Sequence, residues 1–328
     1  MSAPLLQVTG LGKSYPVRNA WPFAARRTVR VLDDVSFSLD RGETLGLVGE
    51  SGSGKSTTGR VILKLVPASG GSVRFDGQEI LPLSEPAFRP LRQAMQMVFQ
   101  DPAGSLNPSD RVGRIIGETL GVHAPGLSAS DRVARTNELL GMVGLDPAAS
   151  GRYPHEFSGG QRQRIGIARA LAVGPRLIIA DEPVSALDVS VQAQILNLMR
   201  DLKARLGLSY LFIAHDLAVV RQMSDRVAVM YRGQIVETAS SHDIYRTPAH
   251  PYTRLLLSAI PRPEVPKPVR DQAAPDLPMA SQPSDASSVG TGGCVFTARC
   301  PIRSPICVEV RPQTRLVGTN HHVACHNS

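Results

Sequence analysis

The chain has 328 residues, 42% of them hydrophobic and 20% charged, with a formal net charge of +8; that is enough for a substantial core and about two domains. No apolar run reaches the ~18 residues of a membrane-spanning helix, and the opening Met1-Ser2-Ala3-Pro4 lacks the basic and apolar regions of a secretory signal, so a soluble, cytoplasmic chain is expected. The basic residues are scattered apart from Arg26-Arg27 with Arg30, and no aromatic-plus-basic element accompanies them, which reads as a solvated surface and not a nucleic-acid face.

Residues 5–80 read as mostly β. Val35, Phe37 and Leu39 alternate before Arg41-Gly42, and Val73 and Phe75 before Asp76-Gly77, so hairpins are expected at both turns, within an antiparallel layer. Tyr15 is a lone aromatic in this layer, and by itself it reads as a surface or packing residue. The apolar strand Thr44-Leu45-Gly46-Leu47-Val48 runs into Gly49-Glu50-Ser51-Gly52-Ser53-Gly54-Lys55-Ser56-Thr57, a full match to G-x-x-x-x-G-K-[ST], and Ser56 to Val66 reads as the helix behind it. Gly49, Gly52 and Gly54 let the backbone turn its N–H groups toward a polyanion at a helix N-terminus. Lys55 would add a point charge on the β- and γ-phosphates, and the Ser56 hydroxyl would hold Mg²⁺.

Met95-Gln96-Met97-Val98-Phe99 reads as another strand, with Gln100 where it stops. Beyond it the chain is turn-rich at Asn107-Pro108 and then helical, with Val112, Ile115, Ile116 and Leu120 at helical spacing and a second amphipathic run from Asp131 to Val143. This is expected to be a helical insertion in an α/β core. Ser158-Gly159-Gly160-Gln161 opens the helix Arg162 to Ala172, leaving free N–H groups at a glycine-rich entrance. Leu177-Ile178-Ile179-Ala180 fits a strand buried on both faces, with Asp181 and Glu182 at its carboxyl end, where ligands bind in parallel α/β sheets. A metal-associated acid followed by an acid that polarises water is what phosphoanhydride hydrolysis needs beside a phosphate loop. Ser185-Ala186-Leu187-Asp188 leads into a helix with Ile195, Leu198, Met199, Leu202 and Leu206 on one face, closed by Gly207. A third apolar strand, Tyr210 to Ala214, ends in His215-Asp216, and three polar strand ends in one sheet point to a shared site. Val227 to Met230, Arg232-Gly233 and Gln234 to Glu237 form a closing hairpin.

Taken in order, Tyr15, the phosphate loop, Gln100, Ser158 to Gln161, Asp181-Glu182, Ser185 to Asp188 and His215 resemble the motif series of ATP-binding-cassette (ABC) ATPases over residues 5 to 240. The resemblance implies an α/β fold of the P-loop NTPase class, an ABC-type nucleotide-binding domain with a RecA-like core, an antiparallel β layer and a helical subdomain at 102–165. It also implies roles. Tyr15 would stack on adenine; Gln100 would sense Mg²⁺ and the γ-phosphate; Ser56, Gln100 and Asp181 would serve the metal. Glu182 would be the general base, His215 would contact the γ-phosphate, Ser158, Gly159, Gly160 and Gln161 would act on ATP held by an opposite subunit, and Asp188 would bridge the subunits. Phe157 stands where many members carry leucine.

Gln100-Asp101-Pro102-Ala103-Gly104-Ser105-Leu106-Asn107-Pro108, His250-Pro251-Tyr252-Thr253 and a cysteine-bearing tail resemble the ATPase subunits of dipeptide, oligopeptide and nickel importers, and the stretch between Tyr15 and Val31 leans toward the second of their paired ATPases. Such a chain would hydrolyse ATP with a paired ATPase subunit, two transmembrane permease subunits and an extracytoplasmic substrate-binding protein, at the cytoplasmic face of the inner membrane. Residues 1–260 are expected to form the ATPase domain, 261–293 a Pro/Ala/Ser-rich linker, and 294–328 a small metal-binding extension. Its cysteines, Cys294, Cys300, Cys307 and Cys325, lack the C-x₂₋₄-C pairs of a zinc site, and disulfides are disfavoured in cytosol. Family resemblance favours a [4Fe-4S] cluster, with Zn²⁺ or unligated thiols as alternatives.

Overall fold

Two sheets organise the computed structural model, which describes residues 3–16, 28–260 and 292–328. The larger has eight strands in the order Arg315–Gly318, His321–Val323, Gln234–Ser240, Arg226–Tyr231, Thr44–Val48, Ser209–Ala214, Leu177–Asp181 and Met95–Val98. The last five of these are mutually parallel, and the first three continue the sheet antiparallel. Parallel pairing puts the ends of four strands, just before Gly49, Gln100, Glu182 and His215, on one edge of the sheet, which is how distant polar residues come to share a site.

The central strands read as continuous apolar runs because both their faces are covered. Successive side chains alternate between two cores. Ile178, Ala180, Tyr210 and Phe212 pack with the helices Gly159–Leu171 and Val189–Leu206, whereas Leu45, Leu47, Ile179, Leu211 and Ile213 pack with the second sheet. That second sheet is antiparallel, in the order Thr28–Leu39, Leu6–Pro16, Gly70–Phe75 and Gln78–Glu79. The helical insertion comprises Val112–His123 and Ala129–Met142, with Val112, Ile115, Ile116 and Leu120 buried as their spacing predicts. No helix among the described residues is long and apolar enough to cross a membrane.

Three local expectations are corrected. Asp76-Gly77 is a two-residue hairpin, with both residues at positive φ, but Arg41-Gly42 is not: Thr28–Leu39 and Thr44–Val48 belong to different sheets, and the turn carries the chain between them. The helix after the phosphate loop is Lys55–Ile62 and stops short of Val66 because Lys64 turns left-handed at φ +54°, its ammonium donating to the carbonyls of Ile80 and Leu81. Leu206 lies outside the buried stripe of its helix and is 45% exposed.

The stretch 17–27 and, apart from its last two residues, the linker 261–293 lie outside the described residues. The tail that follows packs onto the main body. Its strand His321–Val323 pairs with Gln234–Ser240, and Cys294, Phe296 and Cys307 join the same core as the central strands. Glycine is needed at Gly293, where a Cβ would lie 2.3 Å from the Val308 carbonyl oxygen.

Candidate functional site

The phosphate loop is set by close approach as well as by backbone freedom. A Cβ at Gly49 would stand 2.1 Å from the Met230 carbonyl oxygen, so nothing larger fits between the loop and the neighbouring strand. Gly54 sits at φ +105° directly before the helix Lys55–Ile62, and its conformation aims the first free N–H groups of that helix into the loop. Lys55 is buried and donates to the carbonyls of Gly49 at 2.8 Å and Glu50 at 2.9 Å. Burial pulls its ammonium below the usual lysine range, while the charges of Glu182, Asp181 and Glu50 oppose that shift.

Ser56 Oγ donates to Asp181 Oδ1 at 2.7 Å. Asp181 is 1% exposed; burial pushes its carboxyl up, against the Ser56 hydrogen bond and Arg60. A hydroxyl and a buried carboxylate side by side are a hard oxygen pair of the kind Mg²⁺ takes, so these two residues fit that ion. One residue further, Glu182 adopts φ +46°, rare for a residue with a side chain. Its N–H donates to the Ile213 carbonyl at 2.9 Å. Its Oε2 accepts from Gln100 Nε2 at 3.0 Å and lies 3.1 Å from His215 Nδ1. Three residues from three strand ends thus meet at one carboxylate.

These groups line an open cleft of about 830 Å³ that includes Ser51, Gly52, Gly54, Lys55, Ser56, Thr57, Gln100, Glu182 and His215. Asp101, Ser185 and Ala186 line it too; the sequence marks them as parts of motifs and gives them no site role. Among the described residues the turn at 158–161 and Tyr15 stand outside that lining. Tyr15 is 38% exposed, with the Lys13 ammonium 4.6 Å from its ring centre. Ser158 caps the helix Gly159–Leu171 in a reciprocal box: Gln161 N–H donates to Ser158 Oγ at 3.4 Å and Ser158 N–H to Gln161 Oε1 at 3.0 Å. Its side is packed by Leu187 and Val191, which a Cβ at Gly159 or Gly160 would meet at 3.3 and 2.4 Å. Asp188 caps the next helix, accepting from Val191 N–H at 3.0 Å. Ser158, Gly159, Gln161 and Asp188 are exposed, while Gly160 is buried against Val191.

Two residues that the sequence does not mark as site residues contact the phosphate loop. The Glu50 N–H donates to the buried Tyr252 hydroxyl at 2.9 Å, and Arg299 Nη1 donates to Glu50 Oε2 at 2.9 Å. Sequence separations of 202 and 249 residues hide both contacts. In the tail, burial raises the Cys294 and Cys300 thiols, with Cys307 and Cys325 pushing both the same way, and the Cys294 N–H donates to the Cys307 carbonyl at 2.8 Å. Among the described residues, however, no group of three or more His, Cys, Asp or Glu is arranged to hold a metal ion.

Comparison with known proteins places the chain. Residues 32–185 match the family described as ABC transporter, and 236–307 the oligopeptide/dipeptide transporter C-terminal region. The chain is 50% identical over 323 residues to a peptide import ATP-binding protein of Brucella ovis, covering 98% of this chain and 97% of that one. It is 49% identical over 327 residues to the oligopeptide transport ATP-binding protein AppF of Bacillus subtilis, with the same coverage. Among solved structures, it resembles the dimeric post-hydrolysis state of the ATP-binding cassette MJ0796 bound to ADP and Pi (27% identity, 72% of this chain and 98% of that one, TM-score 0.63). It shares its fold with cbiO1 of Clostridium perfringens (24% identity, 75% and 92% covered, TM-score 0.64).

Proposed function

This chain belongs to the ABC transporter ATP-binding proteins of the oligopeptide/dipeptide branch, and from that footing we propose that it hydrolyses ATP to drive import of peptides or a similar small solute. The observation that carries the reading is the convergence of Gln100 and His215 on the Glu182 carboxylate, at the mouth of a cleft floored by Lys55 and Ser56. In this reading the loop N–H groups and Lys55 bind the β- and γ-phosphates, with Ser51, Gly52, Ser53, Gly54 and Thr57 shaping the cradle and Tyr15 stacking on adenine. Ser56, Gln100 and Asp181 would hold Mg²⁺, which would neutralise charge on the phosphate oxygens. Glu182 takes a proton from water as the water oxygen bonds to the γ-phosphorus and the bond from that phosphorus to the ADP oxygen breaks. His215 and Gln100 orient the Glu182 carboxylate and contact the γ-phosphate.

The turn Ser158 to Gln161 is not part of the lining of the chain's own cleft, and its helix N-terminus suits a phosphate supplied by a second ATPase subunit, with Asp188 at the join. The proposed assembly is a pair of ATPase subunits, two transmembrane permease subunits reached through the helical insertion at 102–165, and an extracytoplasmic substrate-binding protein. The chain would then sit on the cytoplasmic face of the membrane. The division into an ATPase domain at 1–260, a linker at 261–293 and a tail at 294–328 belongs to the same proposal. So does a [4Fe-4S] cluster on Cys294, Cys300, Cys307 and Cys325, or Zn²⁺ in its place. Their proximity favours a shared ligand, but their arrangement is not that of a formed ligand set; iron, sulfide and zinc analysis of anaerobically purified protein decides between the two and bare thiols.

Glu182→Gln is expected to lower turnover by roughly 10²-fold or more with ATP binding retained, as loss of a general base requires. Near-normal hydrolysis by that variant in the assembled complex would remove Glu182 from the chemistry. A non-transport cassette acting on ribosomes or nucleic acid is not favoured by the relatives, whose names are those of peptide import and oligopeptide transport ATP-binding proteins.

A further inference from the structure

The tail reaches the phosphate loop by two separate routes. The first is direct: Arg299, between Phe296 and Cys300, donates to Glu50 Oε2 at 2.9 Å. Its guanidinium lies 5.9 Å from the ring centres of both Tyr231 and Phe296, which fixes its direction. The second is a relay. His321 Nε2 of the tail strand lies 2.7 Å from Glu237 Oε1, and Glu237 accepts from the N–H groups of Ala249 and His250 at 2.7 and 2.9 Å. His250 Nδ1 caps the helix Pro251–Ser258 by accepting from Tyr252 N–H at 3.0 Å. The Tyr252 hydroxyl then accepts from Glu50 N–H. Phe296, 1% exposed, fills the space between the two routes, with Tyr231, Tyr252 and His250 ring centres 5.2 to 5.6 Å away.

Both routes end at Glu50, the relay at its backbone N–H and Arg299 at its carboxylate. It is the one acid within the nine-residue loop 49–57, and it lies close enough to Lys55 to act on its ammonium. Glu50 is not part of the cleft lining, but an uncompensated carboxylate on the phosphate loop still repels a polyphosphate bound there. We propose that Arg299 is a positioning residue for the ATPase: by pairing with Glu50 it neutralises and anchors the phosphate loop, so that the C-terminal tail tunes nucleotide affinity from outside the cleft.

The inference rests on ATP binding at this loop. The test is steady-state ATP hydrolysis by the assembled transporter carrying Arg299→Met, Arg299→Lys, or Arg299→Met with Glu50→Gln. Arg299→Met is expected to raise KM for ATP about threefold with kcat within twofold of the parent, the size fitting a half-exposed ion pair. Arg299→Lys keeps the charge and a KM near the parent's. The double variant brings KM back toward the parent's, because removing the carboxylate removes the repulsion; a purely packing role for Arg299 would give no such rescue. Thermal unfolding midpoints check that each variant folds, and if Arg299→Met does not, the lysine variant and Glu50→Gln alone are compared. An unchanged KM in Arg299→Met, or an equal rise in single and double variants, overturns the proposal. A parent complex without ATPase activity would overturn the functional reading beneath it instead.

Discussion

Glu182 stands in the left-handed region while its carboxylate accepts from Gln100 and faces His215. A conformation of that kind costs on the order of 1–3 kcal/mol and persists where the surroundings over-determine it, here through the N–H bond to Ile213 and the two side-chain partners. Nothing in the string Asp181-Glu182-Pro183 signals this, because φ is set by the neighbouring strand. The phosphate loop, by contrast, is legible residue by residue, since its glycines answer a requirement that the motif itself states. Gly49 is the clearest case, its missing Cβ leaving room for the Met230 carbonyl. Gly49→Ala is expected to lower stability by roughly 2–3 kcal/mol, read as a depressed unfolding midpoint together with weakened ATP binding. A variant with parental stability would show that the loop can retreat from Met230.

At the scale of elements, strands buried on both faces are legible in the sequence, because continuous apolar runs have few other uses. Connections are less so. Arg41-Gly42 and Asp76-Gly77 look alike in sequence, yet one crosses between sheets and the other closes a hairpin; which partner a strand takes is a tertiary decision. The tail strand Arg315–Gly318 is exposed at every position and so leaves no alternation to detect. The helix Pro251–Ser258 joins these parts, and its His250 cap gives it a pH dependence. Burial pulls the His250 pKa down to about 4, below the unfolded value of about 6.5. Between those values the unfolded chain holds the proton and the folded one does not. Stability is therefore fully present above about pH 6.5 and is lost as pH falls toward 4, by up to about 3 kcal/mol. His250→Asn keeps an acceptor for the Tyr252 N–H without a titrating ring. Its unfolding midpoint is expected to vary less than the parent's across pH 4 to 6.5, and parallel curves would contradict this.

At the scale of the whole molecule, the tail is woven into the body: its strands extend the central sheet, its aromatic residue completes a core, and its arginine meets the phosphate loop. The sequence sets the tail apart because a polar stretch precedes it, and contacts spanning some 250 positions leave no local trace. The complementary surface is the turn at 158–161 with Asp188, capped but outside the lining of the chain's own cleft. That asymmetry is the reason for reading the chain as one half of a closing pair. It is tested most directly by Ser158→Arg, measured in two ways: ATP affinity of the isolated chain and ATP turnover of the assembled pair. The account predicts affinity within twofold of the parent's and turnover reduced by about 10²-fold, as expected when a group acting on the transition state is lost. Loss of ATP affinity in the isolated chain, or undiminished turnover in the pair, would contradict it.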